Sequence, residues 1–135
     1  MRVSNYKLNP WKIIEHGWDP NKIMESESIF SIGNGTMGQR ANFEEDFSGK
    51  TLQGSYIAGV YYPDKTKVGW WKNGYPEYFA KVVNAPNWIG VSIIIDDIPV
   101  DLNKVYKVKT FERILDMKNG LYERSITFKT NEGLN

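Results

Sequence analysis

Cysteine is absent from the 135 residues, which excludes disulfides, thiol nucleophiles, Cys-ligated zinc and iron–sulfur clusters. That usage fits a reducing compartment. Histidine occurs once, as His16, so a His-based metal site or a catalytic triad would rest on that one side chain, and a structural role is the simpler reading. No G-x-S-x-G elbow is present. An excess of one charge is also missing: 17 Lys and Arg stand against 16 Asp and Glu, for a net charge of +1, and each half of the chain is balanced by itself. Nucleic acids and anionic membranes need a basic face that neutralises several phosphates, so neither is expected as a partner. No segment approaches the ~20 apolar residues of a membrane span, and residues 1–10 lack the apolar core of a signal peptide. A soluble cytoplasmic protein is expected, and at ~150 residues per domain the length gives a single domain, 1–135.

What the chain does have is aromatic residues: 14%, as five Trp, eight Tyr and six Phe. Such rings favour strands and offer flat apolar faces with polar edges. Short alternating or apolar runs, bounded by Gly, Pro, Asn and Asp, recur at 11–16, 28–32, 37–43, 52–62, 78–83, 88–95, 105–113 and 121–129. No window sustains a helical apolar stripe, so the pattern predicts an all-β fold, an antiparallel β-sandwich. Two hairpins stand out locally. Asp96-Asp97 interrupts a β-branched run as a tight acidic turn. Asp116-Met117-Lys118-Asn119-Gly120 joins two long arms, with Asn-Gly supplying positive φ.

Gly33-Asn34-Gly35-Thr36-Met37-Gly38 matches G-x-G-x-x-G, but no helix of a βαβ unit follows it, so a glycine-rich connection between strands is expected rather than a dinucleotide site. Acidic clusters occur at Glu25/Glu27, Glu44-Glu45-Asp46 and Asp96-Asp97. Glycoside hydrolysis needs two carboxyl groups about 5 to 9.5 Å apart across a substrate. Sequence adjacency does not supply that geometry, and solvated turns are expected at the last two clusters. The most suggestive segment runs from Pro63 to Pro76, read as one long loop around Trp70, Trp71, Asn73 and Tyr75, with Tyr61, Tyr62, Tyr78, Phe79 and Trp88 nearby. Flat rings there would either stack on sugar faces or fill the sandwich core or a domain contact.

Three blocks carry a family resemblance. Glu27 through Glu45, with Gly33-Asn34-Gly35-Thr36-Met37-Gly38 at its centre, resembles the opening of the maltose, trehalose and kojibiose phosphorylases of glycoside hydrolase family 65. So do Leu52-Gln53-Gly54-Ser55-Tyr56-Ile57-Ala58-Gly59-Val60-Tyr61 and the stretch from Asp64 through Trp70-Trp71-Lys72-Asn73-Gly74-Tyr75 to Phe79, and the middle block looks most like the maltose phosphorylases. The resemblance implies a galactose-mutarotase-like N-terminal β-sandwich of a much longer enzyme, in which an (α/α)6 barrel carries the general-acid Glu and the phosphate site. There, inorganic phosphate attacks the anomeric carbon with inversion, giving β-glucose 1-phosphate and glucose from maltose. It implies no cofactor beyond phosphate as co-substrate, and no catalytic residue of the family falls on this chain. The catalytic barrel is the implied partner, with a homodimer and weak carbohydrate contact as further expectations. Trp70, Trp71, Asn73 and Tyr75 become candidates for a loop facing barrel or sugar. The sandwich is expected to be incomplete at its C-terminal end, leaving unpaired edges and exposed apolar surface.

Overall fold

The structure is a computed structural model and describes residues 6–65, 76–105 and 107–130. Its organising unit is a four-stranded antiparallel sheet in the order β1 (Tyr6–Leu8), β2 (Lys12–His16), β10 (Lys107–Asp116), β11 (Leu121–Lys129). The β10–β11 hairpin forms where the sequence places it. The Asp116 carboxylate accepts from the backbone N–H of Lys118 and of Asn119, both at 3.1 Å. Gly120 then turns the chain at φ 65, a conformation costly for residues with a Cβ. These bonds, led by the one from the Asn119 side chain and joined by Lys12, hold the Asp116 pKa below its ordinary value.

Three smaller antiparallel units follow the first helix. They are β3 (Ile32–Gly33), β4 (Met37–Gln39) and β5 (Ser55–Ile57); β6 (Tyr61–Lys65) with β7 (Tyr78–Val82); and β8 (Ile94–Ile95) with β9 (Ile98–Pro99). The all-β antiparallel architecture is thus present. The Gly33–Gly38 stretch is a strand connection: Gly33 and Gly38 pair across β3 and β4, Gly35 takes φ 88, and Asn34 Oδ1 accepts from the N–H of Thr36 and of Met37. Asp96 and Asp97 form the acidic turn between β8 and β9 with φ of 49 and 63, the left-handed pair that a tight hairpin turn of this twist requires.

Several expected strands differ in detail, and the one at 37–43 ends at Gln39. Residues 28–32 do not form one strand: a seven-residue helix, α1 (Ile23–Ile29), ends over Ser28 and Ile29, and β3 begins only at Ile32. The buried side of α1 is Ile23, Ser26, Glu27 and, just beyond its end, Phe30. The spacing is helical, but two of the four residues are polar, so no apolar stripe advertises it. The expected strand at 52–62 breaks at a turn where Gly59 takes φ 80, and 88–95 is extended in a sheet only at its last two residues.

The core lies between the large sheet and the segments that cross it. Tyr122, Arg124, Ile126 and Phe128 turn inward and are half-buried, while Leu121, Glu123, Ser125 and Thr127 face solvent. One cluster joins Ile23, Phe43, Val100, Leu102 and Phe111 with Trp18 and Phe47 against them; the other joins Phe30, Ala41 and Leu115 with Tyr6, Ile13 and Tyr122. Rings meet tilted or edge-on, Trp18 to Phe111 at 5.1 Å and Phe43 to Phe47 at 4.6 Å between centroids, the geometry that aromatic quadrupoles favour. Desolvation at this core pushes the Tyr122 phenol up to about 12.

Charges are built into that core. Arg113 is fully buried and stands directly across from Glu15 in the β10–β2 register, with Nε 3.6 Å from the carboxylate. Its guanidinium lies over the rings of Phe111 and Phe43, at 4.9 and 5.2 Å. Ser26 donates to Glu15 at 2.6 Å, tying α1 to the pair. Glu27, also fully buried, accepts from the Thr51 hydroxyl and from the Leu52 N–H at 2.6 Å. It therefore anchors the loop before β5 to the helix.

Candidate functional site

The aromatic segment is organised by β6 and β7, which pair from Tyr61↔Val82 to Lys65↔Tyr78. The expected loop at Pro63–Pro76 is therefore shorter at its start, because Pro63, Asp64 and Lys65 belong to β6 and pair with Ala80, Phe79 and Tyr78. A proline fits here because the ribbon is all edge. Trp70, Trp71, Asn73 and Tyr75 fall between the two strands, outside the described residues.

The rings that flank them are not core. Tyr61, Tyr62, Tyr78 and Phe79 are 46 to 61% exposed, and Trp88 38%; the core rings are Trp18, Phe30, Phe43, Phe47 and Phe111. Along the ribbon, Lys81 pairs with Asp64 at 2.9 Å and Lys65 with Glu77 at 3.9 Å, so it has little net charge. A two-stranded ribbon is at best marginally stable in water. This one presents aromatic surface on a neutral frame, the composition of a contact surface.

The fold also brings together two features far apart in the chain. The glycine-rich connection (Gly35, Thr36, Met37) and the ribbon (Tyr61, Ala80, Val82) line one shallow groove of about 330 Å³, with Tyr56, Ile57 and Val60 between them. The Ala58 N–H bonds to the Thr36 carbonyl at 2.8 Å and fixes this approach. Sequence reasoning singled out both segments but had no signal that they meet.

The acidic clusters are placed differently from expectation. Glu44 and Glu45 are not a solvated loop. Arg124 donates to Glu45 Oε1 at 2.9 Å, to Glu45 Oε2, and to Glu44 Oε2 at 2.7 Å, while its guanidinium covers the Phe43 ring at 4.6 Å. Burial, the largest single influence, works against the charged guanidinium, but the bond to Glu45 and the negative charges of Glu45 and Glu44 together outweigh it and raise its pKa. Asp46 accepts from Ser92 at 3.1 Å. The clamp borders a polar cleft of about 260 Å³ that also includes Gln53 and Asn87. His16 lies on the exposed side of β2, 3.0 Å from Glu112 on β10. Both carboxylates are taken up by bonds to Arg124, so Glu44 and Glu45 act as struts.

An antiparallel β-domain braced by buried ion pairs, with an aromatic ribbon at its surface, is the class of protein these features define. The chain belongs to glycosyl hydrolase family 65: the model of that family's N-terminal domain matches residues 13–135. It is 45% identical over 127 residues to the maltose phosphorylase of Bacillus subtilis (strain 168), covering 94% of this chain and 17% of that one. It is 30% identical to the kojibiose phosphorylase of Thermoanaerobacter brockii, covering 90% of this chain and 14% of the relative. A solved structure of a provisionally assigned kojibiose phosphorylase from the human microbiome superposes with a TM-score of 0.81 at 40% identity, over 96% of this chain and 17% of its own. The chain thus spans about a sixth of the length of these relatives. No described helix is long and apolar enough to cross a membrane.

Proposed function

We propose that this chain serves as the non-catalytic N-terminal β-domain of a disaccharide phosphorylase, one that converts maltose and inorganic phosphate to β-glucose 1-phosphate and glucose. The observation that carries the reading is the 45% identity to a maltose phosphorylase over 94% of this chain but only 17% of that enzyme. The chemistry then falls to the remainder of such an enzyme, in a catalytic barrel, with phosphate as co-substrate and no other cofactor. The commitment of Glu15, Glu27, Glu44 and Glu45 to internal bonds supports a scaffold rather than an acid and base pair. The domain's work is to support the barrel and the enzyme dimer, with Trp70, Trp71, Asn73 and Tyr75 facing the barrel or the sugar. The lack of cysteine supports a cytoplasmic location.

The test is made on the product of the native locus, isolated from the source cells. A mass several times 15.6 kDa, together with phosphate-dependent release of glucose from maltose, is the expected outcome. A long product that turns over none of maltose, trehalose and kojibiose with phosphate refutes the reading. A product of 15.6 kDa would shift it to a free-standing carbohydrate-binding module, for which the exposed Tyr61, Tyr62, Tyr78 and Phe79 are the specific support. Tryptophan fluorescence unchanged up to high millimolar maltose and glucose would sink that alternative.

A further inference from the structure

We infer that Asn34 is a site of spontaneous deamidation, and that Asn119, which has the same Asn-Gly sequence, is protected by its hairpin. Glycine after asparagine leaves the next backbone nitrogen uncrowded by a Cβ, so this dipeptide is open to attack on its own side-chain amide. Nothing lies within 4 Å of a Cβ built at Gly35 or at Gly120, and both asparagines are exposed. Crowding therefore does not separate the two sites. The groups bonded to each amide do.

In the reaction the Gly35 nitrogen gives its proton to solvent and attacks Asn34 Cγ. The bond from Cγ to Nδ2 breaks, and Nδ2 leaves as ammonia with a proton taken from solvent. Water then opens the cyclic imide at either carbonyl, giving aspartate or, with the chain rerouted through the side chain, isoaspartate. One water is consumed, one ammonia is released, and nothing is oxidised. Negative charge develops on the attacking nitrogen and then on Asn34 Oδ1. That oxygen already accepts from the Thr36 N–H at 3.0 Å, the Thr36 hydroxyl at 2.9 Å and the Met37 N–H at 2.8 Å. Donors fixed in advance around an oxygen that becomes an oxyanion lower the barrier. Among the described residues the Gly35 N–H and Asn34 Nδ2 donate to nothing, so one is free to lose its proton and the other to gain one.

At Asn119 the electrostatics are reversed. Nδ2 donates to Asp116 Oδ2 at 3.0 Å and the backbone N–H to Asp116 Oδ1 at 3.1 Å, which sets a carboxylate against the amide. One negative charge opposes the growth of another beside it, and Lys12, 3.2 Å from Asp116, offsets part of this. Among the described residues no donor reaches Asn119 Oδ1. The product at Asn34 has a structural consequence. It adds a negative charge and, as isoaspartate, an extra backbone methylene to the connection between β3 and β4, at the wall of the groove shared with the ribbon.

The test holds the native-locus product folded near neutral pH for weeks and digests samples with trypsin, which releases the two sites on separate peptides, 23–40 and 119–124. Mass spectrometry reads the conversion of amide to acid in each. Asn34 should react at least about fivefold faster than Asn119, a ratio equal to a single net hydrogen bond. In concentrated urea, where both turns are lost and only the shared glycine remains, the two rates should agree within about twofold. A smaller ratio in the folded protein, or one that persists in urea, overturns the inference. Thr36→Val removes one donor from Asn34 Oδ1 and should slow Asn34 about threefold, while Thr36→Ser keeps the rate. A rate unchanged or raised by Thr36→Val also overturns the inference, because the bonds would then hold the amide still rather than polarise it. Asp116→Asn should quicken Asn119 about threefold without moving Asn34; no change at Asn119 overturns its protection by the carboxylate. Far-UV circular dichroism checks that each variant folds. None of these outcomes bears on the phosphorylase reading, which concerns activity.

Discussion

The buried Glu15–Arg113 pair makes a sharp prediction about stability. At 3.6 Å and an effective dielectric near 20, two unit charges attract by about 4–5 kcal/mol. The cost of bringing both out of water offsets most of that, so the pair as a whole contributes little net stability. Breaking it is another matter, because Arg113→Met leaves the Glu15 carboxylate buried with Ser26 as its donor, and an uncompensated buried charge costs about 3–5 kcal/mol. Methionine keeps much of the arginine stem and its packing against Phe43 and Phe111, so volume loss is a small part of the effect. The double variant Glu15→Met with Arg113→Met removes both charges and should come back to within about 1–2 kcal/mol of wild type. Urea unfolding followed by tryptophan fluorescence reads this directly, since Trp18 touches Phe111 in the same cluster. With a slope of roughly 1.5 kcal/mol/M, the single variant should lower the midpoint by about 2–3 M. A single variant less than about 1 kcal/mol below wild type, or a double variant worse than the single, would refute a charged, desolvated pair at this place.

Acid should act through Asp101 and Asp116. Burial works to raise the Asp101 pKa, but bonds from Ser48, Asn103 and Lys104 outweigh it, and both carboxyls end below the ordinary 3.8. A lowered folded pKa means the unfolded chain takes up protons first. The stability these groups contribute is therefore present above that value and lost as pH falls through their folded values. Urea midpoints should drop below about pH 4, and Asp116→Asn should flatten part of that drop. At the β8–β9 turn, Asp96 and Asp97 both hold positive φ. Replacing them with Asn and Gly should raise stability by about 1 kcal/mol, measured as a higher melting temperature; a neutral or negative effect would mean the aspartates contribute through their side chains.

The parts of the fold that the sequence announces are those governed by local chemistry. Asn119-Gly120 after Asp116 specifies a turn, and the long arms on either side have nothing to do but pair. Asp96-Asp97 and the Gly33–Gly38 connection are legible for the same reason: each turn's conformation is encoded by the residues inside it. The helix α1 is different. Its buried positions hold Ser26 and Glu27, whose partners Glu15, Thr51 and Leu52 come from elsewhere in the chain. A polar residue buried by virtue of a distant partner looks, in sequence, like a solvated one. The same holds for Glu44 and Glu45, eighty residues from the Arg124 that binds them.

The aromatic residues carry the argument one step further. A composition rich in rings admits two explanations, a core built of them or a surface that uses them, and the chain does both with different rings. Phe43 and Phe111, packed against Trp18 and Phe47, flank the buried guanidinium, where their π faces help offset the desolvation of Arg113. Tyr61, Tyr62, Tyr78 and Phe79 instead line a ribbon whose charges cancel pairwise and whose strands bury almost nothing against each other. A segment that cannot account for its own stability in water is explained by what it contacts, and the groove it shares with the glycine-rich connection gives that contact a second wall. The ribbon carries no charge to spare and suits an apolar partner.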